Sequence, residues 1–201
     1  MDMWDYHIRL RALAVLLILI SFVPYVLSIS KWETKPHTIS RLIWALSMGL
    51  WFAVQLQQWM WRWATMLWAA FLFDVSVLIR SLKIWDFNFT KLDLTSLWLA
   101  LFALWLRLIT DDPRWSVILI SIADTLWFYP TFSKSYNDPS SESLSFWILD
   151  SSSFVVWMLA LPFITPIAVL YPSVVLFWEV LLILFLIYRK HAIKKSQAIE
   201  A

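Results

Sequence analysis

The chain has 201 residues, 61% of them hydrophobic and 15% charged, with a net charge of +2 and no cysteine; its mean hydropathy is +0.70. An ordinary soluble domain carries about 25% charged residues, so the composition excludes a soluble globular fold and predicts an integral membrane protein. Without cysteine, disulfides, thiolate metal sites and thiol catalysis are excluded as well.

Crossing a hydrocarbon core of about 30 Å takes about 20 helical residues. Seven segments approach that length: 10–29, 39–57, 63–82, 94–109, 115–132, 144–161 and 167–188. The first has Arg9 and Arg11 before it and no small-residue cleavage pattern after it, so it reads as a retained helix rather than a signal peptide. Pro24 lies near its end and Pro130 near the end of the fifth segment. The third, fourth and fifth segments carry Asp74, Arg80, Arg107 and Asp124 in or beside them, and the arginines read as snorkelling at helix ends. Pro162, Pro166 and Pro172 read as loop and first-turn residues of the seventh segment. The tail after Tyr188, RKHAIKKSQAIEA, reads as an anchor beside anionic lipid rather than a nucleic-acid site.

Charge sets an expected orientation. With the C-terminus inside, Lys31, Lys35, Arg41, Arg80, Lys83, Lys91, Lys134, Arg189, Lys190, Lys194 and Lys195 are cytoplasmic, and they outnumber Arg9, Arg11, Arg62, Arg107 and Arg114 outside. The expectation is N-terminus outside, C-terminus cytoplasmic, in a bacterial inner membrane.

The two halves repeat. Pro36, Ser40 and Trp44 recur 103 positions later as Pro139, Ser143 and Trp147; Pro24 maps to Pro130 at an offset of 106 and Asp74 to Glu179 at 105. Helices one to three then correspond to helices five to seven. The fourth is a linker that restores the direction of the second copy, which makes the repeat parallel. The expected fold is all-α, with seven transmembrane helices arranged 3+1+3. Its parts are a first repeat at 1–91, the linker at 92–112, a second repeat at 113–190 and a basic cytoplasmic tail at 191–201. Within the second helix of each copy, Ser40, Trp44, Ser47 and Trp51 match Ser143, Trp147, Asp150 and Phe154 at helical spacing. Ser and Asp facing lipid would lack partners, so this face is expected to look inward.

This layout, with VPYVLSISKWETKPHTISRLIW and YPTFSKSYNDPSSESLSFWIL at equivalent places, resembles the PQ-loop superfamily that includes the SWEET transporters, and within it an uncharacterised bacterial branch. The signature glutamine is replaced by Tyr25 and Thr131. The resemblance implies that Pro24 and Pro130 act as hinges for alternating access. It also implies that Asp74 and Glu179 stand near where sugar-transporting relatives place a pair of asparagines around the substrate. Carboxylates there argue against a neutral sugar and leave room for a cationic, zwitterionic or proton-coupled solute.

Four acids fall in apolar segments: Asp74, Asp124, Asp150 and Glu179. A charged carboxylate at the bilayer centre costs about 2.5 to 3.5 kcal/mol on insertion scales, so these are the candidate substrate or proton sites. Lys31, Glu33, Lys35, Lys134, Tyr136 and Glu142 read as solvated loop residues, or as an inner gate of ion pairs. An enzyme is not expected: His7, His37 and His191 have no metal-binding spacing, Ser151 to Ser153 lack a nearby base, and a chain with one glycine holds no glycine-rich phosphate loop. No cofactor or metal is called for. The expected function is a facilitator or proton-coupled carrier of a small polar solute, with a homo-oligomer left open; the rival is a non-transporting scaffold or receptor on the same fold.

One glycine against sixteen tryptophans is unusual, since membrane helices use glycine freely. Trp32 and Trp85 occupy turn positions where an indole has no evident advantage, which suggests that some tryptophans translate a UGA codon read as glycine by the host.

Overall fold

A computed structural model describes residues 3–31, 38–57, 64–84, 91–110 and 112–200. They form seven α-helices: α1 Met3–Ser30, α2 Thr38–Gln57, α3 Thr65–Ile84, α4 Lys91–Ile109, α5 Pro113–Asn137, α6 Leu144–Ala160 and α7 Pro166–Glu200. A single 3₁₀ turn, Pro139–Ser141, separates α5 from α6. Local chemistry sets the starts of the last helices. Asp138 accepts from the Ser140 N–H at 3.0 Å, and Ser143 caps α6 by accepting from the Phe146 N–H at 3.4 Å. Thr165 does the same for Ala168 at 3.2 Å, one residue before Pro166 opens α7.

Four helices contain a stretch long and apolar enough to cross a membrane: Asp5–Ile29, Thr65–Leu82, Arg114–Asn137 and Pro166–Ile193. In α2, α4 and α6 the apolar runs are shorter, Arg41–Leu56, Leu94–Leu106 and Leu144–Ala160. The protein is an all-helical membrane protein, and its surface agrees. Leu108 and Ile164 are 76% and 77% exposed while all four candidate acids are buried, the reverse of a water-soluble fold. Hydroxyls inside the helices mostly return to their own backbone, as Ser21 does to Ile18 and Ser153 to Asp150, which removes the cost of an unpaired polar group in an apolar medium.

Two details differ from the sequence reading. Pro172 lies inside α7 rather than in its first turn, so it withholds the N–H that would reach back one turn. α7 also runs on through 191–200, the stretch read as a tail. Pro24 and Pro130 fall within α1 and α5.

Packing follows a simple scheme. α1 packs on α6 and α3; α2 on α3, α4 and α5; α4 on α5; and α7 on both α5 and α6. The apolar interior divides into two clusters, one holding Trp51, Phe154, Trp157 and Tyr171, the other Tyr25, Trp44, Trp127, Phe128, Phe146 and Trp147.

Candidate functional site: a carboxyl-lined cavity

Between the two aromatic clusters lies a cavity with about 30 Å³ of space for water centres, room for roughly two waters. Every helix except α4 contributes to its wall, and all four predicted acids line it. Asp74 comes from α3, Asp124 from α5, Asp150 from α6 and Glu179 from α7. The other lining groups are apolar or aromatic apart from the Trp44 indole and the Tyr171 hydroxyl.

Each acid has its own partner. Arg41 donates to Asp74 at 3.1 Å, an ion pair with both side chains 6% exposed. The guanidinium also stands 4.4 Å from the Tyr25 ring centroid and 4.6 Å from that of Trp44, a cation–π sandwich that holds it in place. Asp124 accepts from Ser47 at 2.9 Å and from the Tyr171 hydroxyl by a short hydrogen bond. Glu179 accepts from Ser151 at 2.8 Å and shares a hydrogen bond with the Asp150 carboxyl. A carboxylate is an acceptor only, so a bond between two carboxyls requires one proton in the pair. The wall therefore sets four carboxyls against one guanidinium, and that guanidinium is committed to Asp74. Such a surface attracts protons and cations and repels anions.

Aromatic rings close both ends. Trp44 meets Trp127 at 4.3 Å between centroids and Trp147 at 5.9 Å. On the other side Trp51 meets Trp157 at 4.8 Å, Tyr171 at 5.0 Å and Phe154 at 6.5 Å. Trp44 and Trp51 sit two turns apart on α2, and Ser47 lies between them.

The predicted residues fall into three groups. Asp74, Asp124, Asp150, Glu179 and Trp44 line the cavity, while Ser47 and Trp147 stand directly behind it. Ser143 caps α6 and meets Ser145 at 3.1 Å, away from the acids. Pro36 lies outside the described residues, as do Glu33, Lys35, Trp32 and Trp85, and the Ser40 and Pro130 side chains are also undescribed. The loop residues form no ion pair among the described residues. Instead Arg189 donates to the Tyr136 carbonyl at 2.6 Å and Trp147 to Glu142 at 3.3 Å.

Sequence reasoning missed Arg41, Tyr171 and Ser151. Arg41 was counted as a cytoplasmic charge, yet it lies three residues before Trp44 on the repeated face, which was the available signal. No comparable pattern marks Tyr171 or Ser151 in the chain.

No family model, curated protein or solved structure matches this chain.

Proposed function

We propose that the protein is a proton-coupled carrier of a small polar solute, built as two parallel three-helix repeats that rock about Pro24 and Pro130. The observation that carries this reading is the convergence of Asp74, Asp124, Asp150 and Glu179 on one buried cavity. Acids placed at such cost in an apolar interior, facing one another, are groups that a translocated proton or cation can use.

Packing supports the duplication. Under the proposed alignment the α1–α3 contact corresponds to α5–α7, α2–α3 to α6–α7, and α1–α6 to α2–α5, and all six contacts are present. Equivalent residues also meet each other: Trp44 touches Trp147, and Trp51 touches Phe154. Contact between a residue and its own counterpart is what a two-fold axis running between the halves requires.

The transport cycle then follows from the closure at both ends. The cavity holds about two waters and no solute, so the aromatic contacts must part on one side at a time. Opening the Trp44–Trp147 side exposes the acids to one compartment, and opening the Trp51–Phe154 side exposes them to the other. The excess of lysine and arginine in the segments assigned to the inside supports an external N-terminus and a cytoplasmic C-terminus.

The test is reconstitution in liposomes, with uptake and charge movement recorded against sugars, amino acids and cations, with and without a pH gradient. The expected result is a solute-dependent, pH-driven signal that disappears in Asp150→Asn. Silence across the panel with folded protein, or an undiminished signal in the variant, would favour a membrane scaffold or receptor that kept the fold.

A further inference from the structure

Away from the carboxyls, α2 and α5 carry a second set of buried polar groups with no role in the cycle above. The two helices run antiparallel in a register fixed by two contacts, Trp44 with Trp127 and Ser47 with Asp124. Each advance of three along α2 is matched by a retreat of three along α5. Extending that register brings Gln55 opposite Ser116, each eleven residues, or about three turns, from its tryptophan and therefore on the same helix face.

Gln55 is 1% exposed and Ser116 is fully buried. Neither the oxygen nor the nitrogen of the Gln55 amide has a hydrogen-bond partner, and neither does the Ser116 hydroxyl. The Trp51 indole N–H, one turn nearer the cavity, is also unpartnered. Ser121 on the same helix shows the alternative, giving its proton to the Val117 carbonyl at 2.7 Å; Ser116 does not. Buried polar groups are nearly always paired, so a cluster of unmet ones asks for a partner from outside the chain.

We infer that Gln55, Ser116 and the Trp51 indole form a second, uncharged binding site that takes a hydroxyl group, from water or from a hydroxylated solute. An amide supplies an acceptor and two donors, a serine supplies both roles and an indole adds a donor, which matches an O–H that gives and accepts in turn. None of the three carries charge. Trp51 touches Tyr171, whose hydroxyl reaches Asp124, so the site approaches the carboxyl cavity from the end opposite Arg41.

The chain has no cysteine, so single thiols report access without background. The experiment compares alkylation by iodoacetamide of the purified, folded Ser116→Cys and Gln55→Cys proteins with two controls. These are Ser140→Cys in the exposed turn and Ser81→Cys, fully buried with its hydroxyl bonded to the Leu78 carbonyl. Ser116→Cys is nearly isosteric and keeps the test alive if Gln55→Cys fails to fold. A water-reached thiolate should react at least about tenfold faster than Ser81→Cys; a rate equal to Ser81→Cys overturns the inference. Slowing by glucose or glycerol assigns the site to solute hydroxyls, and an unchanged rate assigns it to water. Slowing by ammonium chloride alone would mean a charged ligand and would also overturn it. The readout is access rather than transport, so it stands apart from the fate of the carrier reading.

Discussion

Set against each other in the proposed alignment, the two halves keep the same helices and place different charges on them. The first half brings Ile18, Arg41, Ser47 and Asp74; the matching positions of the second are Asp124, Leu144, Asp150 and Glu179. One half is therefore electrically balanced by its own ion pair, and the other gathers three carboxyls with no cation among them. Symmetry provides the frame and the closing rings, while the chemistry sits on one side of it. The contrast teaches that duplication need not duplicate a site. Once Ser47 and Tyr171 donate to an acid from the opposite copy or a neighbouring helix, the two halves become parts of a single asymmetric centre.

The largest effect should come from breaking the balanced half. Arg41→Leu strands Asp74 as an unpaired acid at 4% exposure, and removing one partner of a buried pair costs about 3 to 5 kcal/mol. Thermal unfolding in detergent should show this loss. The double variant Arg41→Leu with Asp74→Leu should recover most of it, since no charge is left to bury. Equal destabilisation by the single and double variants would mean that the pair acts through packing rather than charge.

The unbalanced half should respond in activity before stability. Asp150→Asn and Glu179→Gln keep a hydrogen bond between the two side chains while removing the proton they share. Proton-coupled flux in liposomes should vanish in each, with the melting temperature near that of the parent. Asp74→Asn should leave more residual flux, because Asp74 is already neutralised by Arg41. If Asp74→Asn is the most damaging of the three, the division of labour between the halves is wrong.

An intermediate effect is expected at Asp124. Tyr171→Phe removes a buried donor and leaves a carboxylate oxygen short of one bond, at a cost of about 1 to 3 kcal/mol. Ser47→Ala should cost less. Because both hydroxyls serve one carboxyl, the pair of changes should be non-additive, and a double-mutant cycle measures that coupling directly. Strict additivity would mean that the two hydroxyls act independently on Asp124.

The helices themselves were largely legible in the chain, because a run of apolar residues long enough to cross a bilayer has few other structures open to it. Seven segments were expected and seven helices form, with α1 and α7 longer than hydropathy alone suggested. The acids were legible for a related reason: a carboxyl inside an apolar run is conspicuous, and four such residues meet. Arg41 was not, since a basic residue at a helix end ordinarily reaches water, and only packing shows that Tyr25, Trp44 and Asp74 enclose it. Partners such as Tyr171 and Ser151 depend on which helices become neighbours, information that composition and period do not contain. The tryptophan excess has a direct check in the gene, where UGG at Trp32 and Trp85 would reject recoding. Trp178 on α7 has a defined contact, donating to the Thr125 hydroxyl at 3.1 Å, so glycine there would remove a bond between α5 and α7.

The smallest predicted effect separates the repeat as architecture from the repeat as site. Ser143 belongs to the Pro-Ser-Trp pattern that first revealed the duplication, yet its hydroxyl faces the Phe146 N–H and Ser145 rather than any acid. Ser143→Ala should lose about 0.5 to 1 kcal/mol as an N-cap and leave flux and pH dependence untouched. A change in transport without a change in stability would instead place Ser143 in the pathway. The recurring serine would then mark chemistry, where the geometry indicates only that a helix must begin at the same place in both copies.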